Sequence, residues 1–490
     1  MADLKKVAFN SSYYTLSTIL LRASSIIFFP IFSLYLTKSD YGTFSVVQSI
    51  VMVVGLLGGL GLNRALTRFI YYNTEKNETD HDTIVYTTLI SNLFGQSFFI
   101  VLFLLIGPYV LGPILKDIPF YPYVLLGLIA IPLNSIVDTA RVYFKSVHEG
   151  KKVFLLDISF FSCNILLNLF FVVIMGYNVL GLFLGVMING LLFSIILAFT
   201  FYSKFKFRFK TGIWKGMIKY TIPLLPFTFL NVVFESVDKL FLNADSGSSN
   251  SGIYYLALTF AAIFSSFKES VVTALTPWVF ENMKQNIQKV TRVFNVVVII
   301  TGLVGFVVSL FSKEILVILS SNVDFVEAHH YIPLTVISFY IIFLGQLFNM
   351  KTFYFGTYHK YLFIATGAGI FAEIIGCYFL IPIYDIYGAV VSRIIAFSTQ
   401  AALLVYYSRK ERQLKEMYNY KFLFLSVFVL SFLIALPSFI EFNFLLYQNI
   451  LLKLGIVAFL FVFLGICFKK DLLSAFETYK HRIPFINKFL

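Results

Sequence analysis

The stretch Tyr220 to Asp245 combines residue types that rarely occur together in an apolar sequence. It begins with two prolines, Pro223 and Pro226, and ends with three charged residues, Glu235, Asp238 and Lys239. Because an unpaired charge inside a membrane costs at least about 2.5 kcal/mol, charges retained in such surroundings are candidates for function. Prolines remove backbone hydrogen bonds and can loosen a helical turn, so the two prolines are candidate hinge residues, with a rigid kink as the alternative.

Acidic side chains in apolar stretches are candidates for ion coupling. Four are found, namely Asp138, Glu235, Asp238 and Glu373. A carboxylate in low-dielectric surroundings can take up a proton near neutral pH, and it can also bind Na⁺. The alternative for each is a structural role, in which it pairs or hydrogen bonds across helices.

No metal site is predicted. His329 and His330 are neighbours in a predicted loop, with no third ligand at metal-binding spacing. The cysteines Cys163, Cys377 and Cys467 each fall in an apolar stretch without a CxxC pattern, so they are interpreted as packing residues. Apart from coupling to Na⁺ or protons, no cofactor is expected.

The elements that position these residues follow from composition. The chain has 490 residues, of which 59% are hydrophobic and 13% charged, with a mean hydropathy of +0.84. A soluble domain is excluded, because too little polar surface is available to cover a core. A span needs about 20 apolar residues, and such runs follow one another almost from end to end. The prediction is an all-α polytopic membrane protein with about fourteen transmembrane helices.

The apolar runs divide into two groups of six and a final pair. The first six are 12–36, 43–66, 84–107, 122–142, 153–175 and 179–202. The next six are 220–244, 252–277, 291–311, 331–350, 361–381 and 387–408. The final pair is 421–439 and 448–468, which we expect to pack against the second group.

The positive charges support this count and set an orientation. With a cytoplasmic N-terminus, the predicted outer loops hold only Lys38, Lys116 and Lys313, and thirty of the 38 Lys and Arg face the cytoplasm. A missed span would scramble this positive-inside bias, so both termini are predicted to be cytoplasmic. The net charge of +13 is therefore mostly topological, and nucleic acid is not expected as a partner.

The two groups of six resemble each other in sequence. VYFKSVH at 142–148 aligns with FYFGTYH at 353–359, Tyr41–Phe44 aligns with Ser251–Tyr254, and 177–181 aligns with 384–388. Because each group has an even number of spans, the repeats are parallel, an arrangement found in transporters that alternate access between their halves. The predicted division is 1–203 and 220–409 as six-helix bundles, 204–219 as a basic cytoplasmic linker, and 410–490 as two extra helices with a tail.

Several segments together resemble a known family. They are FPIFSLYLTKSDYGTFSVVQSI (29–50), GLGLNRALTRFIYY (59–72), YTIPLLP with ESVDKLFL (220–242) and SGIYYLA (251–257). They are similar to the polysaccharide flippases, the O-antigen or Wzx-like translocases of the multidrug/oligosaccharidyl-lipid/polysaccharide exporter superfamily. Relatives often carry Asp-Arg near the end of the seventh span, where this chain has Asp238-Lys239, which keeps the charge but loses bidentate geometry.

The resemblance implies a polyprenyl-pyrophosphate-linked oligosaccharide that is moved from the cytoplasmic to the outer leaflet of a bacterial inner membrane. Cations for the pyrophosphate are then expected within the spans, at Arg22, Lys239, Lys268 and Arg393. The alternative for Lys239 and Lys268 is pairing with the adjacent Asp238 and Glu269, whereas Arg22 has no acid nearby in sequence.

Three further cations have competing interpretations. Arg64 and Arg68 could receive an incoming pyrophosphate at the cytoplasmic end of the second span, or they could be ordinary topology signals. Lys453 is expected to snorkel towards the outer boundary.

Other functions remain open at this point. A polymerase or ligase would need a sizeable outer loop with reactive groups. The longest outer loop, 312–330, has no acid/base pair beyond Asp324 and Glu327, so an enzyme is not expected. A drug/cation antiporter of the same superfamily is disfavoured by the cationic character of the predicted cleft. A third alternative is a flippase for the peptidoglycan precursor, because the headgroup of that lipid carries the same pyrophosphate. Membrane lipids and other polysaccharide-assembly proteins are the expected partners.

Overall fold

The computed structural model describes residues 13, 26–75, 81–282, 287–355, 359–410, 420–439 and 446–467. Every regular element in these ranges is helical, which confirms the predicted all-α class. Ten helices are long and apolar enough to cross a membrane, or eleven if the bent pair Val323–His330 and Ile332–Phe348 forms one span. Fourteen spans are compatible with this number, because the run Tyr361–Ser408 covers two predicted spans and most of the first span lies outside the described residues.

The helices group into two compact units, Met1–Leu256 with Cys377–Ala389, and Ala257–Gly376 with Val390–Leu490. The boundaries of these units fall inside helices, at positions other than those of the two sequence repeats. The division of the chain by repeats concerns sequence similarity, and it stays a prediction.

The first unit contains ten helices and the beginning of an eleventh in the described ranges. They are α1 (Phe29–Tyr35), α2 (Lys38–Gly59), α3 (Leu62–Glu75), α4 (His81–Leu115), α5 (Leu125–Ser146), α6 (Gly150–Asn168), α7 (Asn178–Thr200), α8 (Thr211–Thr221), α9 (Leu225–Phe234), α10 (Val237–Ser246) and α11 (Ser248–Asn282). Short irregular turns extend some of them, at Phe120–Val124, Leu169–Ile174, Tyr202–Lys204 and Ile222–Leu224.

The second unit contains the rest of α11 and six further helices. They are α12 (Ile287–Leu310), α13 (Ser312–Leu319), α14 (Ile332–Phe355), α15 (His359–Lys410), α16 (Tyr420–Ala435) and α17 (Leu446–Cys467). A 3-10 segment, Val323–His330, precedes α14, and another, Leu436–Ser438, follows α16. Asp385 interrupts α15 with a φ of 48°, and residues 377–389 around this break belong to the first unit.

The second predicted span ends earlier than expected. Leu60 and Gly61 have φ values of 48° and 67°, so the chain leaves the helical conformation between α2 and α3. Gly61 adopts this left-handed conformation without steric cost, which permits the break. Residues 62–66, predicted to complete the span, instead begin the amphipathic helix α3, in which Ala65, Leu66 and Ile70 are buried.

The seventh predicted span is broken twice. Helix α8 is followed by the 3-10 turn Ile222–Leu224, which contains Pro223, and Pro226 lies in the first turn of α9. Proline is tolerated at these positions, because the first N–H groups of a helix have no intrahelical partner. A second break at Glu235–Ser236 separates α9 from α10. The prolines therefore mark a change of helix, and their role as a hinge stays a prediction.

A hydrophobic core in the first unit fixes α3 against α8. Its buried members include Leu66 of α3, Ile84 of α4, Phe193 of α7 and Met217 of α8, and it is extended by partly buried aromatic residues. Because α8 presents its apolar side to this core, its charged residues Lys215 and Lys219 remain exposed. The core thereby places the exposed arginines of α3 next to the broken seventh span.

The thirteenth predicted span packs where the sequence leads us to expect it. Helix α16 packs against α12 and α14 of the second unit. A β-carbon on Gly302 would come within 2.6 Å of Leu430 Cδ1, so the absence of a side chain there permits the close approach of α12 and α16.

Candidate functional site

Arg64 and Arg68 lie one turn apart on α3 and contact the seventh span on either side of its proline turn. The Nη1 atom of Arg64 donates a hydrogen bond to Thr228 Oγ1 of α9, at 2.6 Å. The guanidinium carbon of Arg68 lies 4.3 Å from the centroid of the Tyr220 ring, which precedes Pro223. The two arginines that the sequence places at the end of the second span thus contact the chain before and after the two prolines predicted as a hinge.

A cavity of about 580 Å³ opens beside these contacts. Its lining residues are Arg68, Phe69, Gly216, Lys219, Tyr220, Pro223 and Leu224. Two of them are cations and none is acidic, so the cavity has a positive potential that favours an anion such as a phosphate group. The guanidinium of Arg68 can form two parallel hydrogen bonds to phosphate oxygens, while Lys219 can act as a point charge.

Gly216 determines how closely α8 approaches α3 at this cavity. A β-carbon on Gly216 would lie 3.1 Å from Phe69 Cζ and 3.3 Å from Phe69 Cε1. Any larger residue would push the Phe69 ring away. The floor of the cavity therefore depends on a small residue at this position.

Asp238 is fully buried at the start of α10 and accepts hydrogen bonds there. The hydroxyl of Tyr254 on α11 donates to Asp238 Oδ2, and the backbone N–H of Lys239 donates to Asp238 Oδ1 at 2.8 Å. Lys239 itself is half-buried, and Glu235 is exposed. The three charges that close the predicted seventh span thus differ in burial, although they are neighbours in sequence.

Asp138 belongs to a cluster of charges on α5 and α6. Arg141 forms ion pairs with Asp138, three residues earlier in the same helix, and with Asp157, at 2.6 Å from its Nε. A shared arginine between two carboxylates is the arrangement expected for structural pairing. This geometry favours the structural alternative for Asp138 over ion coupling, which stays a prediction.

Lys268 in the second unit is buried and paired with its neighbour. Its Nζ lies 2.5 Å from Glu269 Oε1 and 3.4 Å from Gln346 Oε1 of α14, and Gln346 Nε2 donates to Glu269 Oε1 at 2.8 Å. The three side chains form a polar network. This arrangement matches the structural alternative for Lys268.

Arg393 and Glu373 lie on the two arms of α15, which are the helical segments after and before the break at Asp385. Both are almost completely buried, with 1% and 0% of their surface exposed. The Arg393 guanidinium carbon is 5.3 Å from the centroid of the Phe397 ring and 5.6 Å from that of Phe339. A β-carbon on Gly376 would lie 2.8 Å from Ser392 Oγ, so the arms pack closely at this level. Arg393 adjoins Ser392 and Glu373 is one turn from Gly376, so both charges lie near this close contact.

Lys453 corrects a prediction. It does not snorkel, because it is buried and its Nζ lies 2.7 Å from both carboxylate oxygens of Glu314 and 2.7 Å from Leu310 O. The partner Glu314, in the first turn of α13, was not recognised from the sequence as a partner. The two residues are 139 positions apart, so no local spacing could reveal the pair.

The predicted site residues thus fall into separate groups. In the first unit, Arg68 and Pro223 line one cavity, and Arg64 contacts Thr228, two residues after Pro226 in α9. Asp138 and Asp238 lie in other contacts. In the second unit, Lys268 lies in one polar network, and Arg393 with Glu373 in α15. Arg22 lies outside the described residues. Lys219 and Tyr220, which sequence reasoning missed, complete the cavity; the signal for Lys219 was its position in the basic linker.

The model of the family described as "polysaccharide biosynthesis protein" matches residues 7–283, more than half of the chain. The chain belongs to this family. Membership of the polysaccharide biosynthesis protein family confirms the resemblance that the motifs indicate. Among curated proteins, no sequence matches the chain.

Solved structures of transporters share the fold of this member of the polysaccharide biosynthesis protein family. The lipid II flippase MurJ, in an inward closed conformation, aligns with a TM-score of 0.65 at 14% identity, over 91% of this chain and 100% of that one. A multidrug resistance MATE family transporter of the MOP superfamily, in its inward-facing conformation, aligns with a TM-score of 0.59 at 12% identity, over 80% and 97%. A MOP superfamily transporter from Pyrococcus furiosus aligns with a TM-score of 0.56 at 14% identity, over 82% and 95%.

Proposed function

We propose that the chain is a flippase that moves a polyprenyl-pyrophosphate-linked oligosaccharide from the cytoplasmic to the outer leaflet of a bacterial inner membrane, by alternating access. Membership of the polysaccharide biosynthesis protein family and the fold of known transporters support this proposal. The observation that carries it is the cavity of Arg68 and Lys219 beside the proline-broken seventh span.

The chemistry of the cavity suits the first contact with the substrate. A pyrophosphate presents oxygens to which Arg68 can donate hydrogen bonds, and the ring of Tyr220 provides a flat surface beside it. Arg64 is within one turn of Arg68 and its hydrogen bond to Thr228 connects it to α9. A headgroup that draws the Arg68 guanidinium away would change a contact before the Pro223 turn, and one that draws Arg64 away would change a contact after it, which links binding to a movement of the seventh span.

Ion coupling is the second part of the proposal. Glu373 and Asp238 are fully buried, as required for a carboxylate whose protonation or Na⁺ occupancy is to affect the protein's conformation. Glu235 is exposed and Asp138 is paired with Arg141, so these two are weaker candidates.

The experiment that tests the function is transfer of a lipid-linked oligosaccharide across reconstituted vesicles. Since a hydrogen bond to a charged group contributes about 1.5–3 kcal/mol, Arg64→Ala and Arg68→Ala should each slow transfer by roughly ten- to a hundred-fold at limiting substrate. Lys151→Ala is the matched control, because Lys151 is an exposed cation on the same predicted side and lies outside the cavity. Unchanged rates in both arginine variants would remove this cavity from the transport path.

The same vesicles separate the competing substrates. The parent protein should transfer the lipid-linked oligosaccharide faster than lipid II, the peptidoglycan precursor, and should not exchange organic cations. Faster transfer of lipid II would favour a peptidoglycan-precursor flippase, and cation exchange would favour a drug antiporter.

A further inference from the structure

The basic linker, residues 204–219, differs in composition from the apolar segments on either side of it. It contains six cations and no acidic residue, and three phenylalanines alternate with the first four cations in the sequence KFKFRFK. It begins four residues after the end of α7 and continues into the seventh span. Both flanking elements are apolar and long enough to cross a membrane, so the linker must lie close to a membrane surface.

The first part of the linker has no regular structure after Lys204, and it is held to the bundle through its backbone. The N–H of Lys206 donates to Asp82 Oδ2 at 3.1 Å, and the N–H of Lys210 donates to Thr87 Oγ1 at 3.3 Å. These bonds fix the main chain and leave the side chains of both lysines exposed.

The phenylalanines become more exposed after the first one. Phe205 packs against the hydrophobic core of the first unit, with its ring 4.9 Å from that of Phe201. Phe207 touches Tyr86 at a ring distance of 5.1 Å but remains 73% exposed, and Phe209 is 44% exposed. Two aromatic side chains of a fixed backbone segment therefore project beside a row of cations.

The second part of the linker continues this surface. In α8, Met217 is fully buried in the core, whereas Lys215 and Lys219 are exposed one turn apart. Lys219 also lines the cavity of Arg68. The row of cations that begins at Lys204 thus ends at the candidate substrate site.

Exposed aromatic rings next to lysine and arginine are typical of protein surfaces that lie on an anionic membrane. Basic residues are attracted to acidic headgroups, and aromatic side chains bury themselves at the boundary of headgroups and acyl chains. Topology alone requires positive charge here, but it does not require exposed phenylalanines between the cations. The short distance to two membrane spans favours lipid over nucleic acid as the ligand.

We propose that the basic linker binds the headgroups of anionic phospholipids at the cytoplasmic membrane surface, with Phe207 and Phe209 inserted beneath them. The bound lipids surround the entrance to the cavity of Arg68 and Lys219. This interaction does not depend on which substrate the protein transports. The predicted cytoplasmic orientation of the linker decides only which leaflet supplies these lipids.

The test uses the full chain in vesicles, with Trp214 of α8 as the reporter. The chain has a second tryptophan, Trp278, so Trp278→Phe leaves Trp214 alone. Phosphatidylglycerol with brominated acyl chains should quench Trp214 more strongly than the same fraction of brominated phosphatidylcholine. The triple change Lys206→Gln, Arg208→Gln and Lys210→Gln should abolish this preference, because glutamine keeps the backbone hydrogen bonds and removes the charges. Phe207→Ala with Phe209→Ala should weaken quenching by both lipids.

The control is a second triple change with the same loss of charge. Lys145→Gln, Lys151→Gln and Lys152→Gln alter exposed cations on the same predicted side of the membrane and should leave the preference intact. The number of phosphatidylglycerol molecules retained in native mass spectrometry gives a second readout with both tryptophans present. Equal quenching by the two lipids in the parent, or equal loss in both triple variants, overturns the proposal.

Discussion

Gly42 of α2 and Gly252 of α11 meet backbone to backbone. A β-carbon on Gly42 would lie 1.8 Å from Ser248 O, and one on Gly252 would lie 1.8 Å from Lys38 O. In the sequence repeat, Gly42 corresponds to Gly252 and Lys38 corresponds to Ser248. The contact of Gly42 with Ser248 is therefore equivalent to the contact of Gly252 with Lys38. Such reciprocity is expected where two repeats are related by a twofold axis. The hydroxyls of Ser39 and Ser248 add a hydrogen bond at the same crossing.

A methyl group at this crossing should destabilise the protein. Gly42→Ala and Gly252→Ala both place a carbon against a carbonyl oxygen, and overpacking of this kind costs about 1–3 kcal/mol or more when the backbone must move. The midpoint of thermal unfolding in detergent should fall for both variants. Gly455→Ala is the control, because nothing lies within 4 Å of a β-carbon built there and alanine favours the helix. Equal midpoints in all three variants would contradict this account.

Removal of either partner of the buried pair Lys453–Glu314 should be costly. Lys453→Met leaves the Glu314 carboxylate buried without its cation, and breaking a buried pair in this way destabilises by about 3–5 kcal/mol. The double change Lys453→Met with Glu314→Gln should recover much of the loss, since no charge remains. Unfolding measurements on both single variants and the double variant complete the cycle, and purely additive losses would show that the pair is not coupled.

The ring of Tyr220 should matter for transport through Arg68. A cation over an aromatic ring gains about 0.5–1 kcal/mol at an exposed site, so Tyr220→Ala should slow vesicle transfer by roughly two- to five-fold. Tyr220→Phe keeps the ring and should transfer at the rate of the parent. Arg68→Lys should fall between the parent and Arg68→Ala, because it keeps the charge but loses the planar fork. A defect in Tyr220→Phe as large as that in Tyr220→Ala would point to the hydroxyl instead.

Neutralising a coupling carboxylate should change how transport responds to ion gradients. Glu373→Gln and Glu235→Gln should alter the dependence of the transfer rate on an imposed pH or Na⁺ gradient, with the larger change for the buried Glu373. Asp324→Asn is the control, because Asp324 is exposed in the segment before α14. If transfer by the parent protein responds to neither gradient, coupled exchange is wrong.

Much of the fold could be predicted because the membrane imposes a simple length and composition on each span. Helix ends were harder: the break at Leu60–Gly61 depends on a left-handed backbone that apolar runs do not indicate. Contacts between neighbours in sequence, such as Lys268 with Glu269 and Arg141 with Asp138, were within reach of sequence reasoning. The pairing of Lys453 with Glu314 was not, because packing brings together residues that no local pattern connects.

The attachment of α17 through Lys453 constrains how this protein can be re-engineered. The Nζ amine of Lys453 donates hydrogen bonds to both carboxylate oxygens of Glu314, although the two residues are far apart in the sequence of the second unit. A chimaera that takes α17 from a relative without a lysine at this place would retain Glu314 as a buried carboxylate without its cation. It would express poorly unless Glu314 were exchanged at the same time.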